Sequence, residues 1–171
     1  NLNSNSLTNG VTIINTSGGT ASFDQSTAVT ELTINAAFGT VKNPGGTFRF
    51  INTGPVELIN FGGNNSNFNG TFEIDFPNTT IFRITSSNAA GSNAATIDLD
   101  DGILDITATI GSQSMEFGDA TRAPTLRSSS GSVSAGGLIT LENDLNVEVT
   151  GNQLTLSNAI GDGGNNFGIT K

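Results

Sequence analysis

The chain has 171 residues, enough for one domain with a real core, and carries 6 basic against 15 acidic side chains for a net charge of −9. So acidic a surface repels nucleic acid and anionic lipid, and the absence of His and Cys excludes a Ser-His-Asp triad, a thiol nucleophile, disulfides and a standard structural zinc site. Gly and Asn each occur 22 times, yet 35% of residues are hydrophobic and fall in short regular bursts, which predicts a folded, turn-rich β protein rather than disorder.

The opening NLNSNSLTNG has neither a basic nor an apolar segment, so no signal peptide is expected within it. Alternation of apolar and polar residues then predicts strands at VTII (11–14), ELTI (31–34), TFRFI (47–51), VELINF (56–61), TFEIDF (71–76) and TIFRIT (80–85). The pattern continues at TIDLD (96–100), ILDIT (103–107), LITLEN (138–143), LNVEV (145–149) and QLTLS (153–157). Between these bursts NTGP, GGNNSNFNG, SSNAAGSNAA and SSSGSVSAGG read as turns, because Gly, Asn and Ser tolerate or stabilise turn geometry. No segment shows a capped apolar stripe of helical period. No apolar run approaches the roughly 20 residues of a membrane-spanning helix, so no membrane insertion of this segment is expected.

The spacing of related bursts is informative. TFRF, TFEI and TIDL begin at 47, 71 and 96, separations of 24 and 25 residues. A loose period of this length with two or three strands is one turn of a β-solenoid, so residues 1–171 are expected to form a single parallel β-solenoid of roughly seven rungs. The alternative is an antiparallel β-sandwich, which also uses many short strands. Inward positions in the solenoid would include Phe48, Phe50, Phe72, Ile74, Ile97, Leu99, Leu154 and Leu156.

The last part of the chain, with LTLSNAIGDGGNNFGITK at its end, resembles the passenger repeats of bacterial autotransporters. In those repeats an LTLSG strand runs through a glycine-rich turn to LTK and on to another strand. The similarity covers residues 123–171. It implies a right-handed parallel β-helix at the bacterial cell surface or outside the cell.

Candidate chemistry is sparse. The turn GDGGNNFG (161–168) departs from the calcium-binding GGxGxDxUx repeat at Asp162, Asn166 and Gly168, and no Gly-Lys pair exists for a phosphate-binding loop, so it reads as a corner. In ATIDLDDGILDIT, Asp98 and Asp100 alternate with apolar residues and share a face, Asp101 opens a turn, and Asp105 returns on the next strand. Such a group of carboxylates suits calcium, a hard cation with oxygen ligands, and Asp98, Asp100, Asp101 and Asp105 are the expected metal residues. The same aspartates with Arg83, Arg122 and Arg127 could serve a polysaccharide-degrading β-helix enzyme, but Tyr, Trp and His sugar contacts are absent. Sequons at Asn15, Asn64, Asn69 and Asn78 would matter only in a eukaryotic secretory pathway. The expectation is a non-catalytic surface protein: a scaffold, stalk, adhesin passenger segment or filament subunit. Its expected partners are its own copies end to end or further rungs of a parent chain. A glycan-binding adhesin module, directed at surface glycans, is the alternative.

Overall fold

The computed structural model describes residues 6–7, 20–24, 31–34, 46–51, 57–77, 79–119 and 121–171. Among them the chain is all β. In order the strands are β1 (Ser6–Leu7), β2 (Thr20–Asp24), β3 (Glu31–Ile34), β4 (Thr47–Ile51), β5 (Leu58–Phe61) and β6 (Thr71–Asp75). There follow β7 (Ile81–Ile84), β8 (Thr96–Asp101), β9 (Ile103–Ile106), β10 (Ser114–Phe117), β11 (Thr125–Ser128) and β12 (Ser132–Ala135). The last five are β13 (Ile139–Leu141), β14 (Leu145–Val149), β15 (Gln153–Leu156), β16 (Ile160–Gly161) and β17 (Ile169–Thr170).

These strands coil into a parallel β-solenoid, in agreement with the expected right-handed parallel β-helix and not with a sandwich. One sheet stacks eight strands in the order β1-β3-β5-β7-β9-β11-β14-β17, and the other stacks seven, β2-β4-β6-β8-β10-β13-β16 in chain order. Among the described residues a third side carries only β12 paired with β15. Turn length is uneven. Thr96 lies opposite Ser114, whereas Glu31 lies opposite Leu58, a much longer excursion between partners.

Register follows the inward apolar columns, since a slip of one residue would turn every buried side chain to solvent. In the seven-stranded sheet Phe48, Phe72, Ile97, Met115 and Ile139 form one column, and Phe50, Ile74, Leu99, Phe117 and Leu141 form the next. In the eight-stranded sheet Ile59, Phe82, Leu104, Leu126 and Val147 face them. All but Val147 are buried, and the Phe rings pack edge-on or tilted, with the Phe50 and Phe82 centroids 4.9 Å apart. This narrow channel is mainly apolar, with Ser128 an inward exception, and has few places where a Tyr hydroxyl or an indole N–H would find a partner, which fits the absence of both residue types.

Six of the eight expected core residues are buried, but Leu154 and Leu156 are only partly so. They lie on β15, in the last turn, where no further strand covers them. Other differences concern strands that the alternation left out. SMEF, TLRS and SVSA pair as β10, β11 and β12, although SVSA falls inside a stretch expected to be a turn. Each offers two small or apolar inward residues, and a parallel neighbour on one or both sides supplies the rest of the stabilisation. The expected strand at 11–14 lies outside the described residues.

Candidate functional site

The outward face of the seven-stranded sheet carries a row of charge. Because parallel strands stack about 4.8 Å apart in register, one side chain from each turn joins the row. Arg49 stands opposite Glu73, Glu73 opposite Asp98, and Asp98 opposite Glu116. Only the first neighbours have opposite signs, and Arg49 meets Glu73 at 2.8 Å. Beyond them Glu73, Asp98 and Glu116 follow one another; Thr140 takes the next place in the row, and Glu142, two positions on, still repels Glu116.

Like charges stacked this closely favour the neutral acid. Partial burial, and then repulsion from Asp100, Glu116, Glu73 and Glu142, pushes the Asp98 carboxyl up to about 7. Burial, followed by Glu73 and Asp75, raises Asp100 to about 6, with Arg122 opposing the shift. Glu116 is raised as well, by burial and by Glu142.

Beside this row Arg122 gathers a second group of carboxylates. Its Nη1 donates to Asp75 Oδ1 at 2.7 Å, its Nε and Nη2 both donate to Asp119 Oδ2, and Asp101 Oδ2 lies 3.6 Å away. Hydrogen bonds from Arg122 and Thr121 hold Asp119 down at about 2. Arg49 also reaches Asp75, at 2.7 Å. Asp101 Oδ1 accepts the Gly102 N–H at 2.7 Å, so Asp101 shapes the turn into β9, as its sequence position indicates. Gly102 there takes a φ of 92°, which favours glycine.

Asp105 does not join the other three aspartates. It sits on β9, in the eight-stranded sheet, whereas Asp98, Asp100 and Asp101 sit on β8 in the seven-stranded one. The expected convergence of four carboxylates within a few ångströms therefore fails for Asp105: Gly102 turns the chain from one sheet to the other between them. The Asp105 side chain is fully buried, although its strand position is an outward one. Arg83 donates to its Oδ2 at 2.8 Å, Arg127 at 3.3 Å and the Ser129 hydroxyl at 2.6 Å, while the Ser129 N–H meets Oδ1 at 3.0 Å. Asp105 is a structural anion clamped between two turns. Among the described residues no three acidic side chains group closely enough to hold a metal ion.

The GDGGNNFG corner is built as a turn. Gly163, Gly164 and Asn166 take φ values of 63°, 87° and 62°. Asp162 Oδ1 accepts the Gly164 N–H at 2.9 Å, and this bond lowers the Asp162 carboxyl below its ordinary value. The corner overhangs a cleft of about 430 Å³ that Thr140, Glu142 and Phe167 also line.

What escaped sequence reading is the row itself. Glu73, Glu116, Glu142 and the Arg122 group lie far apart along the chain and meet only through register. Aligning TFRFI, TFEID, TIDLD and SMEF by their outward third positions is the signal that would have found it. No known protein family, curated protein or solved structure matches the chain.

Proposed function

We propose that the chain is a non-catalytic structural rod, a segment of an extracellular or cell-surface scaffold, stalk or filament. The observation that carries this reading is the last turn. Its inward positions repeat those of earlier turns yet stand open: Ile160 is 41% exposed where its register partner Ile139 is 3% exposed, and Ile169 is 46% exposed where Leu145 is fully buried. An edge of this kind, with free backbone groups and an uncovered apolar column, fits the next parallel strand, whether from a second copy or from further turns. The arginines support the same reading. Arg83, Arg122 and Arg127, which a lyase-like mechanism would need as a base, are all held by carboxylates.

Light scattering and negative-stain microscopy of the isolated chain, with and without calcium, test the proposal. Association into linear particles that lengthen as salt rises is the expected result, because screening relieves repulsion between molecules of charge −9. Strictly monomeric particles at high concentration under both conditions would overturn the filament form. Release of reducing ends or unsaturated products from polyuronides would overturn the non-catalytic reading.

A further inference from the structure

The third side of the coil, occupied by β12 and β15 in later turns, is made of stacked loops in the three turns before them. There residues of three successive turns enclose a recess of about 330 Å³. Ser66, Ser87, Asn88 and Asn93 are exposed at its rim, while Gly91 and Gln113 are buried beneath them. Every lining side chain is neutral.

Gln113 is 2% exposed. Its Nε2 donates to the Gly91 carbonyl at 3.0 Å, which orients the amide. Its Oε1 is buried and meets no donor among the described residues. A buried carbonyl oxygen without a donor is a cost that a native fold rarely leaves uncompensated. Gly111 keeps the neighbouring side chains close: a side-chain carbon built there would lie 3.3 Å from Gln113 Oε1 and closer still to Asn93 Oδ1, which already accepts the Ser112 N–H at 3.2 Å. Two amide oxygens therefore stand beside Gly111 in the lining of the recess, Asn93 Oδ1 with one acceptor site left, and the rim serines supply hydroxyls that both donate and accept.

We propose that this recess binds a neutral saccharide unit, with adjacent sugar hydroxyls donating to Gln113 Oε1 and Asn93 Oδ1 and accepting from the rim serines. The chemistry selects this class. An anion would meet no positive charge here and a chain of net charge −9. A divalent cation would find no carboxylate among the lining residues. An apolar ligand would leave Oε1 buried without a donor. With no aromatic platform the affinity belongs near the millimolar range, about 1 mM. The inference is independent of end-to-end assembly, so the failure of either leaves the other standing.

Titration of the isotope-labelled chain with glucose, galactose, mannose and N-acetylglucosamine, read on the Gln113 side-chain amide by NMR, tests the site. A saturable shift with at least one sugar is expected, and Gly111→Ala should weaken it at least about tenfold. Gly111 has no positive φ, and the first atom a methyl would meet is the end of the Asn93 side chain, so this variant should fold. Ser87→Ala provides a second variant with the same expected direction. Retention of the same sugars on an immobilised polysaccharide would identify a surface glycan as the source, and binding of the free sugar alone a soluble one. The proposal is overturned if no sugar shifts Gln113, if both variants bind as the parent does, or if only sodium or calcium ions move the signal.

Discussion

Charge on this solenoid is decided at single residues, and the two sheets treat it in opposite ways. On the eight-stranded sheet Arg83, Asp105 and Arg127 alternate in sign across three turns, so each cross-strand neighbour attracts. Replacing Asp105 with Ala leaves two arginines facing one another, and a loss of about 3 kcal/mol is expected in chemical denaturation. On the seven-stranded sheet Glu73, Asp98 and Glu116 repel. The folded chain holds a proton on Asp98 up to about pH 7 and on Asp100 up to about pH 6, while the unfolded chain releases them near 3.8. The folded state therefore binds more protons in this window, and stability should fall as pH rises from about 4 to about 7. Asp119 acts in the other direction: its contribution is present above 3.8 and is lost as pH falls to about 2. Thermal melts should show a maximum near pH 4, set between these two effects. Asp98→Asn should raise stability at pH 8 by about 1 kcal/mol after allowance for solvent screening, about 3 °C, and leave pH 4 unchanged. Melts of the two proteins across pH check both statements.

At the scale of the element, each turn is held by its inward column and by glycines where backbones meet. Phe72 is among the largest fully buried side chains, packs against the rings of Phe48, Phe61 and Phe68, and stacks on Ile97 of the next turn. Phe72→Ala should cost about 3–5 kcal/mol, measured by denaturant unfolding; an unchanged curve would contradict the core described here. Gly137 lies where a side-chain carbon would stand 1.7 Å from the Gln113 carbonyl oxygen, a backbone atom that has no freedom to move aside. Gly137→Ala should therefore destabilise by about 3 kcal/mol, whereas Gly161→Ala, with nothing within 4 Å, should be nearly neutral. The pair of variants separates close approach of turns from general loss of flexibility. β10, β11 and β12 show that a strand in a stacked ladder needs only two inward residues. Ser-rich SVSA becomes β12 because β15 pairs with it in register along four residues.

Across the whole molecule, stability is expected to be the sum of turn-to-turn interfaces, each turn touching its neighbours alone. The last turn lacks one neighbour, and its apolar residues stand half open. If this edge is the joint of an assembly, Ile169→Lys should abolish linear association in light scattering while lowering the melting temperature only slightly, because the position is already 46% exposed. An unaltered particle size distribution would show that association, where it occurs, uses another surface.

Strand periodicity, the recurrence of TFRF, TFEI and TIDL, the inward phenylalanines and the corner at GDGGNNFG were all legible in the linear chain. Each depends on neighbours within a few residues or on a simple repeat, and alternation with period 2 reports burial directly. The charged row and the recess were not legible. Both are made by residues from successive turns, and turn length varies enough that only the folded ladder establishes which residues become neighbours. Asp101 and Asp105 illustrate the difference. They are four positions apart in sequence and read as one acidic cluster, but Gly102 sends them to different sheets, where one caps a turn and the other is sealed between arginines. Sequence determined which residues turn inward and where the chain bends; stacking decided which outward charges meet, because register is a property of the whole coil.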